Sequence, residues 1–142
     1  MNTTINELVA RFYDELWNRW DDTPVEQVLA EDFAFRGSLG IETSGRDEWR
    51  GYRDLIRQGS ADFHNEVLDL VTDGDHAAAR LSYSGHHTGV LAGIPATGRG
   101  FEYAGAAFFT CSVGMLTSAW VLGDLLGLRQ QLQPDGRDPS WP

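Results

Sequence analysis

The stretch FEYAGAAFFTCSVGMLTSAWVL, residues 101–122, decides the fold class of this chain. It contains two runs of strand length, Phe101–Cys111 and Met115–Leu122, both rich in aromatic and β-branched residues. Between them stands Ser112-Val113-Gly114, a short segment ending in glycine that is typical of a tight turn. The stretch therefore predicts an antiparallel hairpin of two long strands that are apolar on both faces.

A second predicted hairpin lies upstream of the first. Its strands are Phe63 to Val71 and Ala77 to His87, and the Asp73-Gly74 pair between them is a hairpin turn signal. Residues 89–100 hold four glycines and one proline, which indicates a loop between the two hairpins. The second half of the chain is thus predicted to be a meander of four long strands.

The first half of the chain has helical periodicity. Apolar residues recur at helical spacing from Ile5 to Trp20, and Thr4 followed by Glu7 forms a capping box. A short second helix is predicted to follow Thr23-Pro24 and to end near Glu31. Phe33 to Arg36 is predicted to be a short strand, and a further helix ends near Gly59.

This order of helices followed by strands predicts an α+β fold. Long strands must twist and coil, so helices packed on one face of a curved antiparallel sheet enclose a cone-shaped hollow. We expect one domain over residues 1–132 and a frayed tail over residues 133–142, which contain three prolines.

Composition excludes several classes of partner. A net charge of −10 opposes binding to nucleic acid or to anionic membranes. There is one cysteine, no apolar run long enough to span a bilayer and no signal peptide, so a cytoplasmic location is expected. Metal-ligand and dinucleotide-binding motifs are absent, and no cofactor is predicted. The two-sided apolar strands predict a homodimer formed through the outer face of the sheet.

Asp124 is the first candidate for chemistry. Alternation along the last strand puts Trp120, Leu122 and Asp124 on one face, so a carboxyl group would stand among apolar side chains. A carboxyl group of raised pKa in an apolar site is suited to general acid–base catalysis near neutral pH. The alternative is that Asp124 lies beyond the strand in solvent, where it caps the turn over Leu125–Leu128.

His87 is the second candidate, because it shares a strand face with Leu81 and Tyr83. A structural histidine with both nitrogens hydrogen-bonded is the alternative interpretation. The remaining candidates are side chains expected to line the hollow: Tyr13, Trp17, Phe35, Arg36, His64, Tyr83 and Trp120.

Several motifs together resemble the SnoaL-like polyketide cyclases. The clearest are Gly85-His86-His87-Thr88-Gly89 and Gly93-Ile94-Pro95-Ala96-Thr97-Gly98-Arg99, which are followed at family-like spacing by Trp120-Val121-Leu122-Gly123-Asp124. Phe12–Asn18, the helix start at Gly45-Arg46-Asp47, Ala107-Phe108-Phe109, the Gly114 turn and Leu128–Leu132 also fit. The resemblance extends over nearly the whole chain to about Leu132.

The resemblance implies a nuclear transport factor 2-like cone fold and ring closure by intramolecular aldol condensation, without metal or organic cofactor. It implies that Asp124 is the general acid–base, that His87 lies in the same pocket, and that the ligand is a small hydrophobic, polyketide-like molecule. The same fold also serves isomerases, epoxide or ester hydrolases, cofactor-free hydroxylation enzymes and non-catalytic binding proteins, so these functions stay open.

Overall fold

The protein is described by a computed structural model that covers residues 4–133. Four α-helices are present: α1 (Ile5–Arg11), α2 (Val25–Val28), α3 (Arg46–Gly59) and α4 (Leu125–Leu132). The six strands are β1 (Leu29–Arg36), β2 (Glu42–Ser44), β3 (His64–Asp73), β4 (His76–His86), β5 (Gly100–Ser112) and β6 (Met115–Gly123). The predicted α+β class is confirmed.

All six strands form one mixed sheet in the order β2-β1-β6-β5-β4-β3. The predicted four-strand meander is β3 to β6, and each consecutive pair in it is antiparallel. The sheet is larger than predicted, because β1 pairs in parallel with β6 and β2 adds an outer edge. A parallel pairing between strands so far apart in sequence leaves no local signal in the chain.

The first helix differs from a single α-helix. Thr4 caps α1 by accepting a hydrogen bond from the backbone N–H of Glu7, as the capping box predicts. From Phe12 to Asn18 the helix continues with π-helical hydrogen bonding, a form often found at functional sites. Helix α2 is a single turn that gives way to β1 at Leu29, earlier than the predicted end near Glu31.

The main core lies between the first helix, α3 and the concave face of the sheet. Phe12 is at its centre and packs against the rings of Tyr13, Phe33, Trp49 and Phe109 at centroid separations of 5.1–6.1 Å. Burial of such large side chains, together with edge-to-face contacts, supplies most of the stabilisation expected of an aromatic core.

Only Gln133 of the tail predicted over residues 133–142 falls within the described residues. Between residues 4 and 133, no helix is both long and apolar enough to cross a bilayer.

Candidate functional site

A small cavity of about 20 Å³ lies in the core between the first helix, α3 and the concave face of the sheet. This is room for about one water molecule. Its lining is mainly aromatic, with two aliphatic and two uncharged polar side chains: Phe12, Tyr13, Trp17, Phe35, Tyr52, Phe63, Tyr83, Ile56, Val121, Ser38 and Asn65. Among these described lining residues there is no Asp, Glu, His, Lys or Arg, so an ionised group would be poorly solvated here.

All four tyrosines of the chain gather around this cavity. Tyr13, Tyr52 and Tyr83 line it, and the ring of Tyr103 packs against that of Tyr83 at a centroid separation of 4.9 Å with the two planes tilted by 47°. Gly105 makes room for this arrangement, because a Cβ atom there would lie 2.3 Å from the Tyr83 ring. The cavity therefore has a cluster of phenol groups at one side.

Two of these phenols are buried without a hydrogen-bond partner. The hydroxyl groups of Tyr13 and Tyr103 have none, although Tyr103 lies near Ser38. An unpaired buried hydroxyl group costs about 1–3 kcal/mol, so a water molecule or a ligand oxygen bound to it would offset that cost. Tyr13, with only 3% of its surface exposed, both lines the cavity and has this free donor.

Burial keeps the phenols neutral. Desolvation raises the pKa of Tyr13, Tyr52, Tyr83 and Tyr103 above the ordinary tyrosine value, and the neighbouring phenols raise that of Tyr83 further. A neutral phenol is a hydrogen-bond donor at any physiological pH. The cluster can therefore stabilise a carbonyl or enolate oxygen, and it does not supply a base.

Asp124 does not face this cavity. Alternation along β6 has the opposite phase from the predicted one, because Ala119 and Val121 are buried while Trp120 and Leu122 are exposed on the outer face. Asp124 follows the strand, is exposed, and accepts a hydrogen bond of 2.9 Å from the N–H of Gly127 as the N-cap of α4. The structure thus has the alternative placement, a solvent-exposed helix cap.

Asp124 nevertheless lies close to the end of the phenol cluster. The preceding residue, Gly123, packs so tightly that an added Cβ would lie 2.9 Å from Ser38 Cβ and 3.2 Å from the Tyr103 ring. Asp124 is therefore one residue beyond the point where β6 contacts the cavity wall.

The predicted wall residues divide into two groups. Tyr13, Trp17, Phe35 and Tyr83 line the cavity as predicted. Arg36, His64 and Trp120 do not line it, and His64 instead lines a groove between the first helix and β3. Trp120 is 46% exposed on the outer face beside Phe108, Arg36 stacks over the Trp120 ring at 4.9 Å, and His64 is exposed at the start of β3.

His87 is fully buried at the base of the loop over residues 88–98, outside the cavity lining. Its Nε2 lies 2.9 Å from the carbonyl oxygen of Ile94, and its Nδ1 accepts a hydrogen bond from the backbone N–H of Thr97 at 3.2 Å. A carbonyl accepts and an amide N–H donates, so these partners define a neutral imidazole with its proton on Nε2. The structure thus places His87 outside the cavity, with both ring nitrogens bonded to the loop.

Two surface clefts adjoin the cavity. An apolar cleft of about 250 Å³ lies between Leu39 and Ile41, Leu55 of α3, and residues 90–93. A polar groove of about 330 Å³ runs between the first helix and β3, and includes Asp14 and Glu66. Both clefts are far larger than the cavity itself.

No group of three or more His, Cys, Asp and Glu side chains within residues 4–133 is arranged to share a metal ion. The prediction that no cofactor is needed stays a prediction.

The sequence profile of the SnoaL-like polyketide cyclases matches residues 7–132, almost the whole described chain. The chain belongs to this family. No curated protein matches its sequence. Among solved structures, TsrD from Streptomyces laurentii is 29% identical, with 91% of this chain and 94% of that chain covered and a TM-score of 0.79.

Two other solved structures show the same fold. IdmH from Streptomyces antibioticus, described as a proposed polyketide cyclase, is 24% identical, with coverage of 89% and 96% and a TM-score of 0.78. AclR from Streptomyces galilaeus, described as a proposed hydroxylase, is 20% identical, with coverage of 96% and 83% and a TM-score of 0.76. This family member therefore has a fold shared by proteins with different described activities.

Sequence reasoning did not place Ser38, Tyr52, Asn65 or Tyr103 at the site. Tyr52 was readable as part of the apolar face of α3, and Tyr103 alternates with buried neighbours on β5. Their convergence is a tertiary property, because they lie on segments that are far apart in the sequence.

Proposed function

We propose that this family member is a cyclase that closes a ring by intramolecular aldol condensation of a small, neutral, polyketide-like carbonyl compound, without metal or organic cofactor. The observation that carries the proposal is the buried, unpaired hydroxyl group of Tyr13 in a cavity with no charged lining. Such a donor in an apolar surrounding is suited to an oxygen that becomes negative in the transition state.

In the proposed reaction a base removes a proton from the carbon next to one carbonyl group, which gives an enolate. The enolate carbon attacks a second carbonyl carbon of the same molecule and forms the new C–C bond. The attacked oxygen takes up a proton, so the product is a cyclic β-hydroxy ketone and an isomer of the substrate. The phenol of Tyr13, which lines the cavity, is proposed to hold the enolate oxygen.

Asp124 is the proposed base and proton donor. Two considerations support this role: the family resemblance of the Trp120–Asp124 segment, and the position of Asp124 one residue beyond the contact of Gly123 with Ser38 and Tyr103. The exposed carboxylate has to reach the substrate at the end of the phenol cluster while the carbonyl oxygen occupies the cavity.

A second candidate function is ligand binding without catalysis. It is favoured by the absence of ionisable groups other than tyrosine among the described lining residues, and by the use of both His87 nitrogens in holding a loop. In that case the phenols only bind the ligand oxygen.

The Asp124→Asn variant distinguishes catalysis from ligand binding without catalysis. The probe is a 1,5-diketone, 2,6-heptanedione, whose aldol cyclisation is followed by NMR. Asparagine is as good an N-cap as aspartate, so fold and ketone binding should survive, while turnover should fall by about 10²–10⁴-fold because the amide cannot carry the proton.

Asp32→Asn, at an exposed position remote from the site, is the matched control and should retain wild-type turnover. Full activity of the Asp124→Asn protein would rule out its catalytic role. A wild-type protein that binds ketones without converting the diketone would support the binding function instead.

A further inference from the structure

The cavity is too small to contain a whole ligand. Its volume of about 20 Å³ accommodates one water-sized group, and therefore little more than a carbonyl oxygen. This step rests on the proposed function, in which that oxygen sits beside Tyr13. The rest of a polyketide-like molecule must then lie in an adjoining space.

The wall between the cavity and the polar groove is firmly held. Tyr13 and Asn65 line both spaces, and Asn18 bonds to Asn65 in two directions, donating to its carbonyl oxygen and accepting from its N–H, each at 2.8 Å. These bonds tie the first helix to the edge strand β3. Opening this side would break both hydrogen bonds.

The wall between the cavity and the apolar cleft is weaker. Ser38 and Tyr52 face the cavity, whereas Leu39 and Leu55, which are close to them in sequence, face the cleft. A hydrogen bond across this wall runs from the N–H of Leu39 to the Tyr52 hydroxyl at 3.4 Å, a long distance for such a bond, and Ser38 is a second partner of that hydroxyl. The Tyr52 ring lies over Gly37, where an added Cβ would be 2.1 Å away.

The chemistry of the two spaces also favours the apolar cleft over the polar groove as the place for hydrocarbon. The groove includes the carboxylates of Asp14 and Glu66, which an apolar ligand would desolvate at a cost. The lining of the cleft consists only of Leu, Ile, Val, Ala and Gly residues. Hydrocarbon transferred from water to such a surface gains stability in proportion to the area buried.

We infer that the apolar cleft binds the hydrocarbon part of the ligand, with Tyr52 as the movable partition between the cleft and the cavity. The site thus has two parts, one for a neutral oxygen and one for an extended apolar chain or ring. The class of ligand is a neutral carbonyl compound with no ionised group near its apolar end.

A series of linear methyl ketones from 2-butanone to 2-decanone tests this inference, with dissociation constants measured by ligand-observed NMR. In the wild-type protein the affinity should rise by about fourfold for each methylene that enters the cleft. Leu55→Gln, at a position that is 41% exposed, should reduce this increment to less than about twofold.

Leu68→Gln on β3 is the matched control, because Leu68 is 45% exposed and lies outside the lining of both clefts. In Leu68→Gln the rise in ketone affinity for each methylene should equal that of the wild type. Ile41→Gln is a second cleft variant at a similar exposure, and it replaces Leu55→Gln if that protein does not fold.

An unchanged increment in both cleft variants would overturn the inference. The inference would also be overturned if Val67→Gln, a groove variant, reduced the increment while the cleft variants did not. That result would place the hydrocarbon part of the ligand in the groove. In either case 2-butanone binding that depends on Tyr13 would leave the proposed function standing. Failure of every ketone to bind would overturn both.

Discussion

Tyr13→Phe should make the free protein more stable and its ligand complex weaker. The substitution removes one hydroxyl group and preserves the ring, so the edge-to-face contacts with Phe12 and Phe109 remain. The hydroxyl group is buried and unpaired, and its desolvation is a net cost to the folded state. An isosteric ring without the hydroxyl group removes that cost.

The size of the effect follows from the burial of this group. Leaving a hydroxyl group unpaired costs about 1–3 kcal/mol, so the free energy of unfolding should rise by about 1–2 kcal/mol after allowance for a bound water in the cavity. For a chain of this length this corresponds to an increase in Tm of roughly 3–7 °C. The affinity for 2-butanone should fall by about tenfold, the usual value of one lost hydrogen bond to a buried oxygen.

The assay is thermal and urea unfolding of both proteins without ligand, together with ketone binding at one temperature. Thr72→Val, which removes an exposed hydroxyl group from β3, is the control and should change neither quantity. A fall in the stability of Tyr13→Phe would show that the hydroxyl group has a partner in the folded protein. That result would refute the argument that the Tyr13 hydroxyl group has no hydrogen-bond partner until a ligand binds.

Two further predictions concern assembly and packing. The exposed outer face around Trp120 is predicted to pair with a second copy of the chain; sedimentation should give a dimer that Trp120→Lys dissociates, and a wild-type monomer at micromolar concentration would contradict this. Gly89→Ala should destabilise the fold by about 1–3 kcal/mol in urea unfolding, because its Cβ would lie 1.8 Å from the carbonyl oxygen of Gln58. Gly51→Ala, in the middle of α3 with open space around it, should stabilise by about 0.5–1 kcal/mol, and the reverse order would show that these packing distances are wrong.

The fold was largely predictable because its signals are local. Turn residues and alternation define β3 to β6, and the capping box at Thr4 defines the start of the first helix. The parallel pairing of β1 with β6 was not predicted, since the hydrogen bonds of Phe35 with β6 depend on a contact between distant parts of the chain. The π-helical turns after Arg11 also escape a pattern based on 3.6 residues per turn.

The site was predictable only in part. Periodicity correctly placed Tyr13 and Tyr83 on interior faces, but it could not give the phase of β6, because both faces of that strand are apolar. Trp120 and Asp124 were therefore assigned to the wrong side. A large exposed tryptophan is compatible with alternation, and only the tertiary structure shows that the buried side is the one with Val121.

The loop held by His87 has a consequence for how this protein can diversify. The N–H of His87 bonds to the carbonyl of Arg99 and the N–H of Gly98 bonds back to the carbonyl of His87, so the two ends of the loop are joined to each other. A segment closed at its own base transmits little change in length or composition to the strands that bear it. Within the wall of the apolar cleft at residues 90–93, the exposed Val90 can therefore vary with little effect on the strands, whereas the buried Leu91 is tied to the core.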